Sequence, residues 1–368
     1  MNKDLKDKTL NELEQIVVGM GQKKYLAGYI FSFIQSAGIR DISEITSLSK
    51  AFRKELAQQG YYISQLHIID RLTDPDGTVK YLFELGDGNR VETVLLVDGR
   101  RKTLCVSTQV GCAVGCTFCA TAKVKLRRNL TAGEIVNQVY TVQRENGTIS
   151  NVVYMGMGEP LLNYNNVIKS VRILNHPAGR NIGIRHLTIS SCGIAPAIKK
   201  LANEDIFPRL SVSLNAPTGA LRTRLMPINA KYPIAELIKV VKYYQKKTGQ
   251  RVTFEYVMIK GLNDSLRCAG LFVELLRDIR CNVNLIEYNP HPHCEFIAST
   301  RGNIERFVRF LQRAGIETTV RFKRGQKISA ACGQLGAGWI DTPSKKAEKL
   351  RPAITVENNK SGDSSDLR

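Results

Sequence analysis

The sequence lacks the apolar stretches that export and membrane insertion require. No run approaches the roughly 20 consecutive apolar residues of a transmembrane helix. The N-terminal MNKDLKDKTLNELEQ contains no apolar core of a signal peptide. We therefore expect a cytoplasmic protein without a membrane partner. With 368 residues, 43% of them hydrophobic, the chain can form one large domain and a smaller one.

Acidic residues are scarce relative to basic ones. The chain has 33 Asp and Glu against 53 Lys and Arg, which gives a formal net charge of +20. Most of this excess lies before Pro343, in the part that we expect to fold. A surface this cationic favours a polyanion such as RNA or DNA as the partner. The alternative is a solvated surface that serves only solubility.

The nine cysteines are an odd number in a chain without an export signal, which favours metal or redox chemistry over a disulfide framework. Three of them, Cys112, Cys116 and Cys119, have the spacing C-x3-C-x2-C in VGCAVGCTFCATA. A closed zinc site needs four ligands, so zinc would require a distant Cys or His. In a [4Fe–4S] cluster, three thiolates leave one iron open to a small molecule.

The periodicity of the chain divides it into four segments. Residues 1–62 have helical periodicity and predict a small accessory domain. Residues 63–97 predict a β-hairpin and a further strand, with an Asp-Gly turn signal at residues 76–77. Residues 98–342 alternate six strands with helices and add a closing strand, which predicts an α/β fold with parallel strands. Residues 343–368 are polar and predict a disordered tail.

This alternation predicts right-handed crossovers, and so either a doubly wound sheet or a full or partial barrel. In each of these folds the loops after the strands converge on one face. Several polar, glycine or cysteine residues fall directly after predicted strands, and any one of them alone could be an ordinary turn residue. Together they predict one active-site cavity; they are the three-cysteine loop, Gly156, Gly158, Glu159, Ser190, Ser191, Ser213, Asn215, Asn289 and Cys332.

The three-cysteine loop, with Phe118 before its third cysteine, and the glycine-rich MGMGEP loop resemble the radical S-adenosylmethionine (SAM) superfamily. More of the chain resembles one family within it, the RlmN/Cfr-type RNA adenine methyltransferases. The matching motifs are RVETV (90–94), LCVSTQVGC (104–112), MGMGEPLLN (155–163), LMPIN (225–229), YNP (288–290) and ACGQL (331–335). The resemblance implies a partial (β/α)6 barrel, a small N-terminal helical domain and a [4Fe–4S] cluster on Cys112, Cys116 and Cys119.

The resemblance also implies the chemistry of single residues. Cys332 would carry a methyl group taken from one SAM, while a second SAM per turnover would supply a radical. Cys105 would release the RNA adduct through a transient disulfide, and Glu92 would accept a proton. The expected contacts to SAM are Gly158, Glu159, Ser190, Ser213, Leu214, Asn215 and Asn289, where Asn215 replaces the His that is commonest in this family. Without the resemblance, Cys105 would be a small buried hydrophobe, Cys332 an inert loop thiol and Glu92 a surface carboxylate.

The implied reaction is methylation of carbon 2 of adenine in 23S ribosomal RNA and in tRNA, with an electron donor such as flavodoxin. Pro160 favours the RlmN branch over the Cfr branch, whose carbon 8 methylation is the alternative. A non-catalytic RNA-binding protein with a structural iron–sulfur or zinc site is an alternative of another class. Basic side chains at the cavity mouth are expected to contact RNA phosphates; they lie in KVKLRR (123–128) and at Arg222, Arg224, Arg321, Lys323, Arg324 and Lys327.

Overall fold

A computed structural model describes residues 3–321 and 323–339, and the predicted tail from Pro343 lies outside these residues. The helices are α1 Leu10–Gly19, α2 Leu26–Ser32, α3 Lys50–Gln58, α4 Ala132–Asn146, α5 Tyr164–Asn175, α6 Ala195–Leu201, α7 Gly219–Leu225, α8 Ile234–Thr248, α9 Leu266–Leu276 and α10 Arg301–Arg313. The strands are β1 His67–Thr73, β2 Val79–Glu84, β3 Arg90–Asp98, β4 Arg101–Cys105, β5 Gln109–Val110, β6 Arg128–Asn129, β7 Asn151–Tyr154, β8 Leu187–Ser191, β9 Arg209–Ser213, β10 Val252–Met258, β11 Cys281–Glu287 and β12 Glu317–Arg321.

The first three helices form a unit with its own apolar core, separate from the core of the sheet. Polar contacts join this unit to α4. The Lys6 ammonium is buried and donates to the Asn137 side-chain oxygen at 3.0 Å. The Gly133 N–H donates to an Asp7 carboxylate oxygen at 2.8 Å. These buried charged contacts fix the small unit against the first helix of the large domain.

One ten-stranded sheet forms the centre of the molecule, in the order β1-β2-β3-β4-β7-β8-β9-β10-β11-β12. Strands β1 to β4 pair antiparallel, and the seven strands from β4 to β12 pair parallel. Because these parallel strands follow one another in chain order, the doubly wound alternative is wrong, since that fold reverses its strand order. In the described part of the chain β1 and β12 do not pair with each other, so the sheet is an open, partial barrel.

The predicted helices of the large domain are present, and α4 begins with a capping box. The Thr131 hydroxyl accepts from Glu134 N at 3.1 Å, and a Glu134 carboxylate oxygen accepts from Thr131 N at 2.9 Å. The seven-residue helix α7 was not predicted, because GALRTRL is too short to show helical periodicity. Among the described residues, no helix is long and apolar enough to cross a membrane.

The chain after β12 crosses the open side of the sheet and binds to the hairpin between β1 and β2. Gly325 N donates to an Asp76 carboxylate oxygen at 2.8 Å, and Lys327 N donates to Asp74 at 3.0 Å. Further along, Gly336 N donates to Glu92 on β3 at 2.8 Å. We call residues 325–336 the Cys332 loop. It connects the two ends of the open sheet through three backbone N–H groups.

Candidate active site

A first cavity, of about 170 Å³, lies at the carboxyl ends of the parallel strands. It brings together all the residues that the sequence analysis placed around one cavity: Cys112, Cys116, Cys119, Gly156, Gly158, Glu159, Ser190, Ser191, Ser213, Asn215, Asn289 and Cys332. Strands β7 to β11 each contribute at least one residue, from the strand or from the loop after it. The prediction that these sequence positions surround one cavity is confirmed.

Residues 111–124, which we call the cluster loop, carry three of the thiols. Gly111 has a φ of +78°, and a Cβ at this position would lie 2.3 Å from the Lys125 carbonyl oxygen. Only glycine fits there. Backbone hydrogen bonds hold the loop: Cys112 N donates to Val124 O at 3.2 Å, and Thr117 N donates to Leu225 O at the end of α7 at 2.9 Å.

The three thiols of the cluster loop fit an iron–sulfur cluster better than a single metal ion. Burial raises the pKa of all three, that of Cys112 to about 12, so they favour the thiol form until a metal binds. Across residues 3–321 and 323–339, no three His, Cys, Asp or Glu side chains converge on one point that could hold a metal ion. A cubane does not need such a point, because each of its thiolates binds a different iron.

Gly158 and Glu159 line the same cavity as the three thiols. Gly158 has a φ of +98°, and a Cβ there would lie 2.5 Å from the Gln109 Cβ. Glu159 is buried, and its two carboxylate oxygens accept from Leu161 N at 2.9 Å and from Cys192 N at 2.7 Å. Burial raises the pKa of Glu159, and these two N–H groups oppose the shift. The carboxylate is therefore fixed in orientation beside the cavity.

Asn215 and Leu214 differ in their relation to the cavity. Asn215 lines it with a φ of +59°, its side-chain oxygen accepts from Val257 N at 2.9 Å, and its amide contacts the Met226 sulfur at 3.2 Å. Leu214 is fully buried and is absent from the lining, while its N–H donates to Glu255 O at 3.0 Å. Any contact of Leu214 with a ligand would therefore have to use its carbonyl.

A second cavity, of about 400 Å³, adjoins the first and shares Cys119, Arg321 and Cys332 with it. Cys105 lines this second cavity as well, so the two thiols proposed from the sequence for methyl transfer face the same space. Both are free thiols, Cys105 buried and Cys332 exposed. Although Cys332 is exposed as a whole residue, desolvation at the sulfur raises the pKa of both thiols, and the Arg321 guanidinium opposes this shift.

The Cys332 loop lies directly against the cluster loop. Ala120 N donates to Gly333 O at 2.7 Å, and the Thr121 hydroxyl donates to Leu335 O at 2.7 Å. The Gln334 amide donates to Pro290 O at 2.8 Å and its oxygen accepts from Ala331 N at 3.2 Å. The Asn289 amide also donates, to Cys332 O at 3.2 Å. The motifs YNP and ACGQL are thus joined by side-chain amides.

Glu92 is the predicted catalytic residue that lies outside both cavity linings. It is buried on β3, where one carboxylate oxygen lies 3.2 Å from the Lys80 ammonium. The other oxygen accepts from Gly336 N at 2.8 Å. Glu92 therefore touches the end of the Cys332 loop rather than the cysteine itself.

Some of the side chains expected to contact phosphates are exposed, and others already bind other groups of the protein. Lys123, Lys125, Arg127, Arg224 and Lys327 are exposed. Arg128 instead forms two 2.8 Å contacts with Glu134, and Arg324 donates to Val97 O at 2.6 Å. The expectation for Arg222 is wrong. Its side chain is fully buried, because α7 turns this residue inward and leaves Arg224 outside.

Glu255 was missed from the sequence although it lines the first cavity. One of its carboxylate oxygens accepts from Arg321 at 3.2 Å, Ser211 at 3.0 Å and Asn284 at 3.1 Å. Its other oxygen is buried and has no hydrogen-bond partner among the described residues. A carboxylate in the otherwise apolar strand RVTFEYVM was the available signal, since Glu is almost never buried without a partner.

Comparison with known proteins extends over both domains. The profile described as the radical SAM superfamily matches residues 106–267, and the ribosomal RNA large subunit methyltransferase N-terminal domain (RlmN_N) matches residues 3–61. The chain is 45% identical over 333 residues to the "Probable dual-specificity RNA methyltransferase RlmN" of Geobacillus kaustophilus, covering 89% of this chain and 91% of the relative. It is 45% identical over 332 residues to the dual-specificity RNA methyltransferase RlmN of Geotalea uraniireducens, covering 90% and 96%.

A solved structure gives the same result for the fold. The crystal structure of a radical SAM methyltransferase from Sphaerobacter thermophilus matches with a TM-score of 0.86 at 44% sequence identity. The match covers 91% of this chain and 100% of that one. The similarity therefore includes the N-terminal helices, the hairpin and the sheet in one arrangement.

Proposed function

The chain belongs to the RlmN family of radical SAM RNA methyltransferases, and from this premise we propose that it methylates carbon 2 of adenine in 23S ribosomal RNA and in tRNA. Carbon 2 lies between two ring nitrogens and is electron-poor, so it does not attack an electrophilic methyl group. A carbon radical held on the protein can add to such a position. Membership of the superfamily implies SAM and a [4Fe–4S] cluster as cofactors.

The observation that carries the proposal is the shared wall of the two cavities. Cys119 and Cys332 line both of them, and Cys105 lines the second. A methyl carrier must reach SAM on one side and the base on the other, and a resolving thiol must reach the carrier. Cys332 lies between a space suited to SAM and a larger space suited to a nucleotide, with Cys105 on the far side.

The cofactors would be held by this chain's own groups. The thiols of Cys112, Cys116 and Cys119 would bind the cluster, which, when bound together with SAM, supplies an electron that converts SAM into a 5′-deoxyadenosyl radical. Glu159 would accept a hydrogen bond from the amino group of SAM beside the backbone of Gly158. The remaining contacts would come from Ser190, Ser213, Leu214, Asn215 and Asn289.

The transfer would then proceed on protein sulfur. Cys332 would take a methyl group from one SAM and lose one hydrogen atom to the radical made from a second SAM. The Cys332 methylene radical would add to carbon 2 of adenine, and the adduct would lose one electron, which the oxidised cluster can take back, and the proton on carbon 2, which Glu92 would accept. The Cys105 thiolate would attack the Cys332 sulfur and break its bond to the methylene carbon, so that a disulfide forms and the released carbon takes up a proton to complete the methyl group.

The second cavity is suited to a nucleotide taken out of its stack. Arg321, Lys323 and Arg324 line it, although Lys323 pairs with Glu287 and Arg324 with Asp98. Cationic groups at such a site neutralise the phosphates of a splayed nucleotide. The electron donor would be a low-potential protein such as flavodoxin, and reduction of the disulfide would complete the cycle.

Nucleoside analysis tests the proposal. Anaerobically reconstituted enzyme, with reductant and SAM, should convert adenosine in 23S rRNA fragments and in tRNA to 2-methyladenosine, detected by mass spectrometry. Replacing Cys105 by alanine should trap an RNA–protein adduct through Cys332. 8-Methyladenosine as the sole product would instead place the enzyme with the Cfr branch. A loaded cluster that yields no 5′-deoxyadenosine would favour a non-catalytic RNA-binding protein.

A further inference from the structure

Arg222 is a buried cation without an anionic partner in the described residues. Its side chain is 0% exposed, and every hydrogen bond it makes goes to a neutral oxygen. It donates to the Asn229 side-chain oxygen at 3.0 Å and to the carbonyl oxygens of Cys192 and Ser213. Its Nε is buried and has no acceptor within residues 3–321 and 323–339. A guanidinium in such surroundings loses its hydration without gaining a counter-charge.

The position of Arg222 indicates what supplies the missing charge. Helix α7, which carries it, lies directly behind the cluster loop, where Thr117 N and the Thr117 hydroxyl both donate to Leu225 O, at 2.9 and 3.2 Å. Cys192, whose carbonyl accepts from Arg222, lines the first cavity together with Cys116, so the guanidinium lies behind the wall of the space that the cluster thiols face. Burial lowers the pKa of Arg222, and the neighbouring Cys192 and Cys116 oppose this shift. Cys116 is one of the three cysteines that would become thiolates on binding the cluster.

We propose that Arg222 is the built-in counter-charge of the cluster site and raises the reduction potential of the bound [4Fe–4S] cluster. The inference rests on the cluster assigned under the proposed function. Reduction adds one electron to a cluster that already carries three thiolates, so a fixed cation stabilises the reduced form relative to the oxidised form. The effect is large at this position because the surroundings of Arg222 are buried and of low dielectric.

A purely structural role is the competing explanation. Arg222 connects α7 to the carbonyls of Cys192 and Ser213, both of which line the first cavity. In addition, Cys192 N donates to Glu159, so Arg222 could act only by holding this wall in place. A structural role requires hydrogen bonds, whereas the proposed role requires charge. Variants that separate these two properties decide between the explanations.

The test is a redox titration of anaerobically reconstituted holoenzyme without RNA, followed by electron paramagnetic resonance of the reduced cluster. R222M removes the charge and the hydrogen bonds. R222K keeps the charge but replaces the planar guanidinium, with its several N–H donors, by an ammonium group. N229A removes one acceptor and leaves the charge. R224M is the matched control, because Arg224 lies two residues further along the same helix and is exposed.

We expect R222M to lower the ratio of reduced to oxidised cluster at least tenfold at a fixed potential, a shift of about 59 mV for a one-electron couple. R222K, N229A and R224M should stay within threefold of the unmodified enzyme. An R222M cluster with an unchanged potential would overturn the proposal, as would a tenfold loss in N229A. If R222M does not retain a cluster, the R222K variant is the test. A reduction potential near that of the unmodified enzyme supports the charge role, and a tenfold change in the ratio of reduced to oxidised cluster contradicts it. Failure of the unmodified enzyme to bind a cluster would instead contradict the proposed function.

Discussion

The two loops that carry the reactive cysteines are held in different ways. The cluster loop is fixed by its own backbone, through Gly111 and through hydrogen bonds such as that from Thr117 N to Leu225 O. The Cys332 loop depends on side chains, among them the amides of Gln334 and Asn289. Backbone anchoring suits a cofactor that stays in one place. Side-chain anchoring suits a thiol that, in the proposed mechanism, would meet SAM, an adenine and Cys105 in turn.

The largest effects are expected from replacing one cysteine in each loop, because the two variants should differ in whether SAM cleavage is lost. Cys119→Ala removes a cluster ligand and should abolish both SAM cleavage and RNA methylation. Cys332→Ala should abolish RNA methylation alone, because the cluster and the SAM contacts remain. Chromatography of 5′-deoxyadenosine alongside nucleoside mass spectrometry measures both activities. Loss of SAM cleavage in Cys332→Ala with a full cluster would show that the two loops do not act separately.

A second comparison places alanine at one glycine in each loop. A Cβ at Gly111 would overlap the Lys125 carbonyl, whereas the nearest atom to a Cβ at Gly333 is Phe118 O at 3.6 Å. Gly333 has a φ of +84°, so Gly333→Ala should cost only the roughly 1–2 kcal/mol of a left-handed residue. Gly111→Ala should prevent stable cluster binding. Iron per protein after reconstitution is the measurement, and equal iron contents in the two variants would contradict the difference in anchoring.

Removing one amide should loosen the Cys332 loop while leaving the cluster loop unchanged. Gln334→Ala leaves Pro290 O and Ala331 N without their partner, at about 1–3 kcal/mol for a buried group. We expect RNA methylation to slow roughly tenfold and SAM cleavage to persist, since each 1.4 kcal/mol corresponds to about tenfold. Gln326→Ala is the matched control, because Gln326 is exposed and makes only a 3.4 Å contact with Asn289. Similar losses in both variants would contradict this assignment.

The smallest expected effect comes from the exposed ion pair at the beginning of the Cys332 loop. Asp98 lies 3.4 Å from the Arg324 guanidinium and its side chain is 75% exposed. Exposed pairs of this kind contribute about 0–1 kcal/mol. Asp98→Ala should therefore change the methylation rate less than about threefold, measured with the same RNA substrate. A tenfold loss would mean that the charge at this edge takes part in positioning Cys332.

The sequence predicted the elements of the fold better than their orientation. Patterns with periods of 2 and 3.6 residues located the strands and the long helices, because the apolar residues of a buried face recur with the period of the strand or helix. The same patterns could not show that α7 turns Arg222 inward and Arg224 outward. They marked Glu255 only as a carboxylate in an otherwise apolar strand and gave no indication of its partners. Both residues are buried charges that bind groups on other segments of the chain: Arg222 donates to the Cys192 carbonyl, and Glu255 accepts from Arg321.

The site was predicted to a similar degree. The rule that loops converge at the carboxyl ends of parallel strands predicted that twelve residues would line one cavity, as they do. Glu92 lies outside that rule because β3 is antiparallel to β4, so the amino end of β3, and not its carboxyl end, lies beside the carboxyl end of β4. Its contact with Gly336 depends on where the chain runs after β12. No local pattern in the sequence encodes that path.

The hairpin between β1 and β2 helps to set the position of Cys332. Asp74 and Asp76 hold the start of the Cys332 loop, and Glu92 holds its end. The length and tilt of the hairpin therefore help to determine where the Cys332 thiol lies, although Cys332 is more than 200 residues away along the chain. In a chimera of two relatives, the hairpin and the Cys332 loop should therefore be exchanged together, because each segment positions the other.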